Sequence, residues 1–181
     1  MDGGILTLRA EQKELPRLEQ GAGSYRASIG AICESSRFLA RRMTRAISDL
    51  SQPIVELGAG FGSVTRVLPE SAISIEREAQ RFAYLKSTFP ERSILDCCAI
   101  PFLAELTQPT VIINCIPNVN NPEFERLRAS ILRALKAGTV SELITYTYFP
   151  HDPFAGIFPK ARRVGLELLN IPPAFVWKYS C

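Results

Sequence analysis

At 181 residues, 46% of them hydrophobic and 22% charged, the chain has the size and make-up of a single globular domain, neither disordered nor fibrous. No apolar run nears the roughly 18 to 20 residues a membrane-spanning helix needs, and the opening stretch MDGGILTLRAEQKELP lacks the basic start, apolar run and cleavage site of a secretory signal. The expected location is the cytoplasm. A net charge of +3 is too mild to mark a nucleic-acid binder. The cysteines Cys33, Cys97, Cys98, Cys115 and Cys181 are odd in number and lack CxxC spacing. No metal site or disulfide framework is expected of them, and they read as buried reduced thiols.

In chain order, residues 1–30, with Gly21, Gly23 and Gly30, read as a loosely attached arm, and 31–181 as the domain. Ser35 or Ser36 is placed to cap a helix running from Arg37 to Ile47. Beyond it, β-rich runs at 54–57, 72–76, 93–97, 111–115 and 143–146 alternate with helix-compatible stretches. Several of these runs are continuously apolar, as in strands covered on both faces, which predicts a parallel sheet. The stretches 78–89 and 123–137 read as helices, the second with Phe124, Leu127, Ile131, Leu132 and Leu135 at helical spacing and Gly138 as its stop. After Pro159, runs at 163–169 and 175–179 are joined by Asn170-Ile171-Pro172-Pro173 and are expected to pair antiparallel. The predicted fold is α/β, doubly wound and Rossmann-like, a mostly parallel sheet with an antiparallel C-terminal hairpin and helices on both faces.

The most informative motif is Glu56-Leu57-Gly58-Ala59-Gly60-Phe61-Gly62. A strand ends there, three alternate glycines let the backbone turn sharply and approach a ligand, and a following helix would offer its free N–H groups. Glu76 ends the next strand about twenty residues on, where dinucleotide-binding folds place the acid that hydrogen-bonds ribose. Loop and acid together predict a nucleoside cofactor rather than a plain turn. The spacing is not the G-x-G-x-x-G of nicotinamide enzymes, and no Walker-type GK[ST] occurs.

The E-x-G-x-G-x-G form resembles motif I of class I S-adenosylmethionine-dependent methyltransferases, which makes S-adenosylmethionine the implied cofactor, with Glu56, Gly58, Gly60, Gly62 and Glu76 around it. Residues 30–37, the Pro117 loop, Ile144-Thr145-Tyr146 and Asn170-Ile171-Pro172-Pro173-Ala174 with Val176-Trp177-Lys178-Tyr179 are similar to the bacterial phospholipid N-methyltransferases. The resemblance spans nearly the whole domain and implies methylation of a phosphatidylethanolamine or ornithine-lipid headgroup. Two departures stand out. Cys98 stands where the family carries an acid that contacts adenine, with Asp96 as the nearest acid, and Asn114-Cys115-Ile116-Pro117 replaces a Ser-Gly-Leu-Pro-like loop. Residues before 28 also lack the family's apolar membrane-binding helix.

Candidates for the acceptor side are Tyr146, Asn114 and His151. Tyr146 closes the fifth run, where it could orient an amine or face a cation with its ring; packing is the alternative. Asn114, at the carboxyl end of the fourth run, reads equally as an acceptor holder and as a turn former. His151, the one histidine, lies in a Pro-rich loop and is either a general base or a solvated side chain. Trp177 and Tyr179 read as core. Arg37, Arg41 and Arg45 recur along one helix face with no acid between them, a pattern suited to an anionic membrane surface and so to a peripheral location. The alternatives are an RNA adenine methyltransferase, whose Asn-Leu-Pro-aromatic motif is here Cys115-Ile116-Pro117-Asn118, and a catalytically decayed cofactor-binding module.

Overall fold

The structure is a computed structural model that describes residues 35–158 and 160–180. The proposed arm, Cys33 and Cys181 lie outside the described residues. Seven strands form one sheet in the order β3-β2-β1-β4-β5-β7-β6. They are β1 (Ile54–Leu57), β2 (Ile73–Glu76), β3 (Ser93–Asp96), β4 (Thr110–Asn114), β5 (Val140–Thr147), β6 (Lys160–Glu167) and β7 (Ala174–Ser180). The first five pair in parallel. β7 then inserts antiparallel between β5 and β6. Chain order reverses between β1 and β4, and in open α/β sheets the crevice at such a point, at the carboxyl ends of the strands, binds ligands.

All residues of β1 and β4 are buried, which is why these runs are apolar without alternation. One face packs Val55, Leu57, Ile112 and Leu143 against helices α3 (Ala99–Ala104) and α4 (Phe124–Lys136). Trp177 and Tyr179 join this cluster, as expected of core residues. The other face packs Ile54, Val111, Ile113 and Ile144 against Leu39, Ala40 and Met43 of helix α1 (Arg37–Arg45). Helix α2 (Ala79–Thr88) covers the outer strands through Leu85 and Ile94. Ser36 caps α1 by accepting the Leu39 N–H, and α1 stops two residues short of the Ile47 predicted.

Two local expectations change. After the glycine loop there is no α-helix, only a short 3-10 turn at Thr65–Val67. Pro69 is the cause: it holds Leu68 in extended conformation (ψ 157°) and leaves too few residues after Gly62 for regular turns. In the other direction, the short helix α3, which the sequence did not predict, carries Pro101. The proline falls in the first helical turn, where its missing N–H has no partner to lose. Cys97, expected to end the third run, instead lies just beyond β3, with Cys98 at the N-cap of α3.

Candidate functional site

The glycines after β1 lack a side chain for two different reasons. All three have positive φ: Gly58 at 76°, Gly60 at 59° and Gly62 at 83°. A Cβ on Gly62 would stand 2.4 Å from Phe89 and 3.0 Å from Leu85 of the α2 region. One on Gly58 would stand 2.7 Å from Ile116, in the loop after β4. At Gly60 a Cβ would meet nothing within 4 Å. Two glycines are therefore required by packing, and the middle one borders open space at the switch point.

Glu76, only 5% exposed, reaches the middle of the loop from the end of β2. Its Oε2 accepts the Gly60 N–H at 2.8 Å and its Oε1 accepts the Glu78 N–H at 2.9 Å. Each carboxylate oxygen keeps a lone pair, so the group can still accept two ribose hydroxyls. The other loop donors turn inward: the Gly58 and Ala59 N–H groups go to Ile75 O, and that of Gly62 goes to Ala59 O. This corrects the expectation of a helix N-terminus with free N–H groups. With the Gly58, Ala59, Gly60 and Gly62 donors committed, the loop is a poor phosphate cradle; it offers a nucleoside room at Gly60 and a carboxylate at Glu76.

Glu56 lies behind the loop, fully buried. Its Oε2 accepts both the Thr65 and the Ser74 hydroxyls at 2.6 Å, and the Cys115 thiol lies 4.0 Å from Oε1. Burial pushes its pKa up to about 7 in spite of the two hydroxyl donors, with Glu76 adding repulsion. Glu56 thus pins the exit of the loop, through Thr65, to β2, through Ser74. Its contribution to a ligand site is positional, since the carboxyl is enclosed by protein.

Asp96, the nearest acid to the position where the resembled family contacts adenine, pairs in register with Glu76 and is exposed at the end of β3. Cys98 is half-buried, and the Arg77 guanidinium pairs with Glu123 at the start of α4. Arg77 therefore spans the outer end of the crevice, from the residue after Glu76 to the loop after β4. Sequence reasoning did not find it, because Glu123 is 46 residues away and nothing local marks the pair. Phe61, exposed in the glycine loop, packs edge-on against Tyr84, with Arg81 over its ring.

The acceptor candidates separate. Asn114 is 1% exposed; its Nδ2 donates to Thr145 Oγ1 and Ile116 O, and its Oδ1 accepts the Ile116 N–H. Its turn-forming reading is the one the geometry realises, and by holding Ile116 it sets the wall against which Gly58 packs. Tyr146 is half-buried on the α1 side, its ring edge-on to Tyr148 at 5.7 Å. Burial first, then Cys115 and Tyr148, raise its phenol well above the ordinary value, so it stays protonated and is not a base. His151 is exposed and stacked on Phe149. The structure does not bring Asn114, Tyr146 and His151 into one cluster.

The described cysteines Cys97, Cys98 and Cys115 are free and half-buried. Burial raises Cys97 to about 11 and Cys115 well above its usual range, so both are thiols. Among the described residues no group of three or more His, Cys, Asp or Glu is placed to hold a metal, and no helix is long and apolar enough to cross a membrane.

Strand order, inserted antiparallel β7 and glycine loop together define the class I methyltransferase fold, and the chain has that fold. It matches no known family profile and no curated protein. Among solved structures it is similar to the 23S rRNA methyltransferase ErmE, with TM-score 0.59 and 16% identity, over 82% of this chain and 69% of that one. A dimethyladenosine transferase from Plasmodium falciparum gives TM-score 0.56 and 14% identity, over 78% of this chain and 60% of that one. An RNA methyltransferase from Salinibacter ruber, solved with S-adenosyl-L-homocysteine, gives 0.52 and 12%, over 78% and 89%. Likeness at these identities is a likeness of fold, and function must be argued from the site.

Proposed function

We propose that the chain is an S-adenosylmethionine-dependent methyltransferase acting on the amine of a phospholipid or aminolipid headgroup. The observation that carries the cofactor is the open space in front of Gly60, with the Glu76 carboxylate fixed at its rim by the Gly60 N–H. Residues around that space suit the group: Glu76 and Asp96 for the ribose side, Arg77 and Cys98 at the outer end, Gly58 and Gly60 for close approach. When bound, S-adenosylmethionine supplies a methyl on a sulfonium, which an aligned lone pair displaces in line. The protein's part is to position the groups and exclude water.

For the acceptor, three features support a lipid amine. Asn118 stands where base-methylating enzymes carry a stacking aromatic. Arg37, Arg41 and Arg45 are exposed on α1 with no carboxylate paired to them among the described ion pairs. The tail from Asn170 to Tyr179 resembles the phospholipid N-methyltransferases. A headgroup amine arrives protonated and must lose its proton. The raised Tyr146 phenol is poorly suited to take it, which leaves Tyr146 a donor or a ring facing the cation.

RNA is the second reading, favoured by the RNA methyltransferases among the similar folds. Labelled S-adenosylmethionine with total lipid and total RNA separates the two. We expect label in the chloroform-soluble lipid; label in RNA and none in lipid overturns the acceptor, while no S-adenosylmethionine binding overturns the class of activity.

A further inference from the structure

The turn between β6 and β7 breaks the usual surface pattern. Leu168, Leu169 and Ile171 are 68%, 62% and 79% exposed within four consecutive positions, and no charged residue occurs from Leu168 to Trp177. Scattered surface aliphatics are ordinary, but a contiguous apolar tip marks a surface that meets something apolar. Its one polar side chain, Asn170, is turned inward and 1% exposed. Asn170 Oδ1 accepts the Ser36 N–H at 2.8 Å and its Nδ2 donates to Pro172 O at 2.7 Å. The Leu169 N–H is taken by Glu167 Oε1 at 3.1 Å, and Pro172 and Pro173 have no N–H to satisfy. The Asn170 side chain and the Leu169 N–H are thus paired within the protein, which lowers the cost of bringing the turn to a low-dielectric boundary.

The tip is also fixed to a basic helix. Ser36 caps α1, so the Asn170 bond joins the turn to the helix N-terminus, and Arg42 of α1 pairs with Glu167 at 3.0 Å. Gly165 makes room for this: a Cβ there would stand 2.7 Å from the Arg42 guanidinium. Arg37 lies over the half-exposed Phe38 ring, and Arg41 and Arg45 flank an open depression between α1 and Val67. Apolar side chains on a rigid tip beside unpaired arginines complement the acyl boundary and the phosphate layer of a bilayer.

We propose that the β6–β7 turn enters the interfacial layer of an anionic lipid bilayer through Leu168, Leu169 and Ile171 while Arg37, Arg41 and Arg45 engage its phosphates. This deepens the lipid reading above and is tested separately from it. The full chain is sedimented with phosphatidylethanolamine/phosphatidylglycerol vesicles and with phosphatidylcholine vesicles. Substituting Leu168→Ser, Leu169→Ser and Ile171→Ser together is expected to weaken partition to both kinds by about tenfold or more, with S-adenosylmethionine affinity unchanged. Arg41→Glu is expected to reduce only the salt-sensitive preference for anionic vesicles. In Ile171→Trp, lipid brominated near the headgroup should quench emission beyond that of the parent chain, whose one tryptophan, Trp177, is buried. Unchanged partition of the triple variant, or no added quenching, overturns the proposal. So does a wild-type dimer that the triple variant dissociates, or retention by RNA in place of vesicles. Turnover on detergent-dispersed lipid persists in the triple variant if only the docking fails, and is absent from every variant if the lipid reading fails.

Discussion

At the loop after β1, the Glu76 carboxylate is held against the open space at Gly60; at the turn after β6, the polar Asn170 is turned inside and Leu168, Leu169 and Ile171 stand outside. The first region suits a small ligand with hydroxyls, the second an extended apolar boundary. Both are held by a buried polar side chain that never reaches the solvent: Glu56 ties Thr65 to Ser74, and Asn170 ties Ser36 to its own turn. Surface chemistry in this chain is set by which way the short polar side chains point.

The largest effect that would break the first region comes from Gly62→Ala. Its Cβ would drive into Phe89 and Leu85 at positive φ, and overpacking with backbone strain should cost about 3 kcal/mol of stability. Gly60→Ala meets no protein atom and should cost only about 1 kcal/mol for its φ, while abolishing S-adenosylmethionine binding. Thermal melts and calorimetry on the pair give the contrast. Two variants equally destabilised and equally able to bind would remove the ligand from this loop.

Glu76→Ala removes charge-assisted hydrogen bonds worth roughly 1.5 to 3 kcal/mol, a tenfold to hundredfold loss of cofactor affinity. Calorimetry with the fold checked by circular dichroism is the measurement. Unchanged affinity would leave Glu76 as a brace for Gly60 alone.

Glu56 gives the sharper test of what holds the loop. Its pKa is raised in the folded chain, so its contribution is full below the ordinary carboxyl value and is lost as pH climbs to about 7. Glu56→Gln keeps an oxygen for the two hydroxyls and abolishes the titration. Between about pH 5 and pH 8, the wild type should lose about 2 kcal/mol relative to the variant. Parallel stability curves would mean that the carboxyl is not buried as described.

How much of this was readable from the chain depends on range. The sheet, the hairpin and α4 followed from apolar runs and from Gly138, each a local signal. The glycine motif and Glu76 were legible because spacing along two strands maps directly onto a crevice. The helix expected after the glycine loop is absent because Pro69 follows too soon, and α3 is too short to show a helical period in the sequence. Arg77 with Glu123, and Ser36 with Asn170, join residues whose separation of 46 and 134 positions carries no pattern. The apolar prong was in plain view as Leu168, Leu169 and Ile171, yet only burial of Asn170 distinguishes a tip from a core strand end.

The smallest expected effect concerns Tyr146, between the two regions. Its ring is edge-on to Tyr148, and burial beside Cys115 holds its phenol in the protonated form. If the hydroxyl orients the acceptor amine, Tyr146→Phe should lower kcat about fivefold to tenfold, roughly 1 kcal/mol, and leave cofactor affinity unchanged, since the interaction matters mainly in the transition state. A purely structural role would lower the melting temperature instead and leave kcat in place. The pH profile separates donor from base. A phenol held well above its ordinary value does not titrate between about pH 6 and 9, so wild type and Tyr146→Phe should share the same inflections there. A limb present in the wild type and missing from the variant would make Tyr146 the proton acceptor, against its burial beside Cys115 and Tyr148.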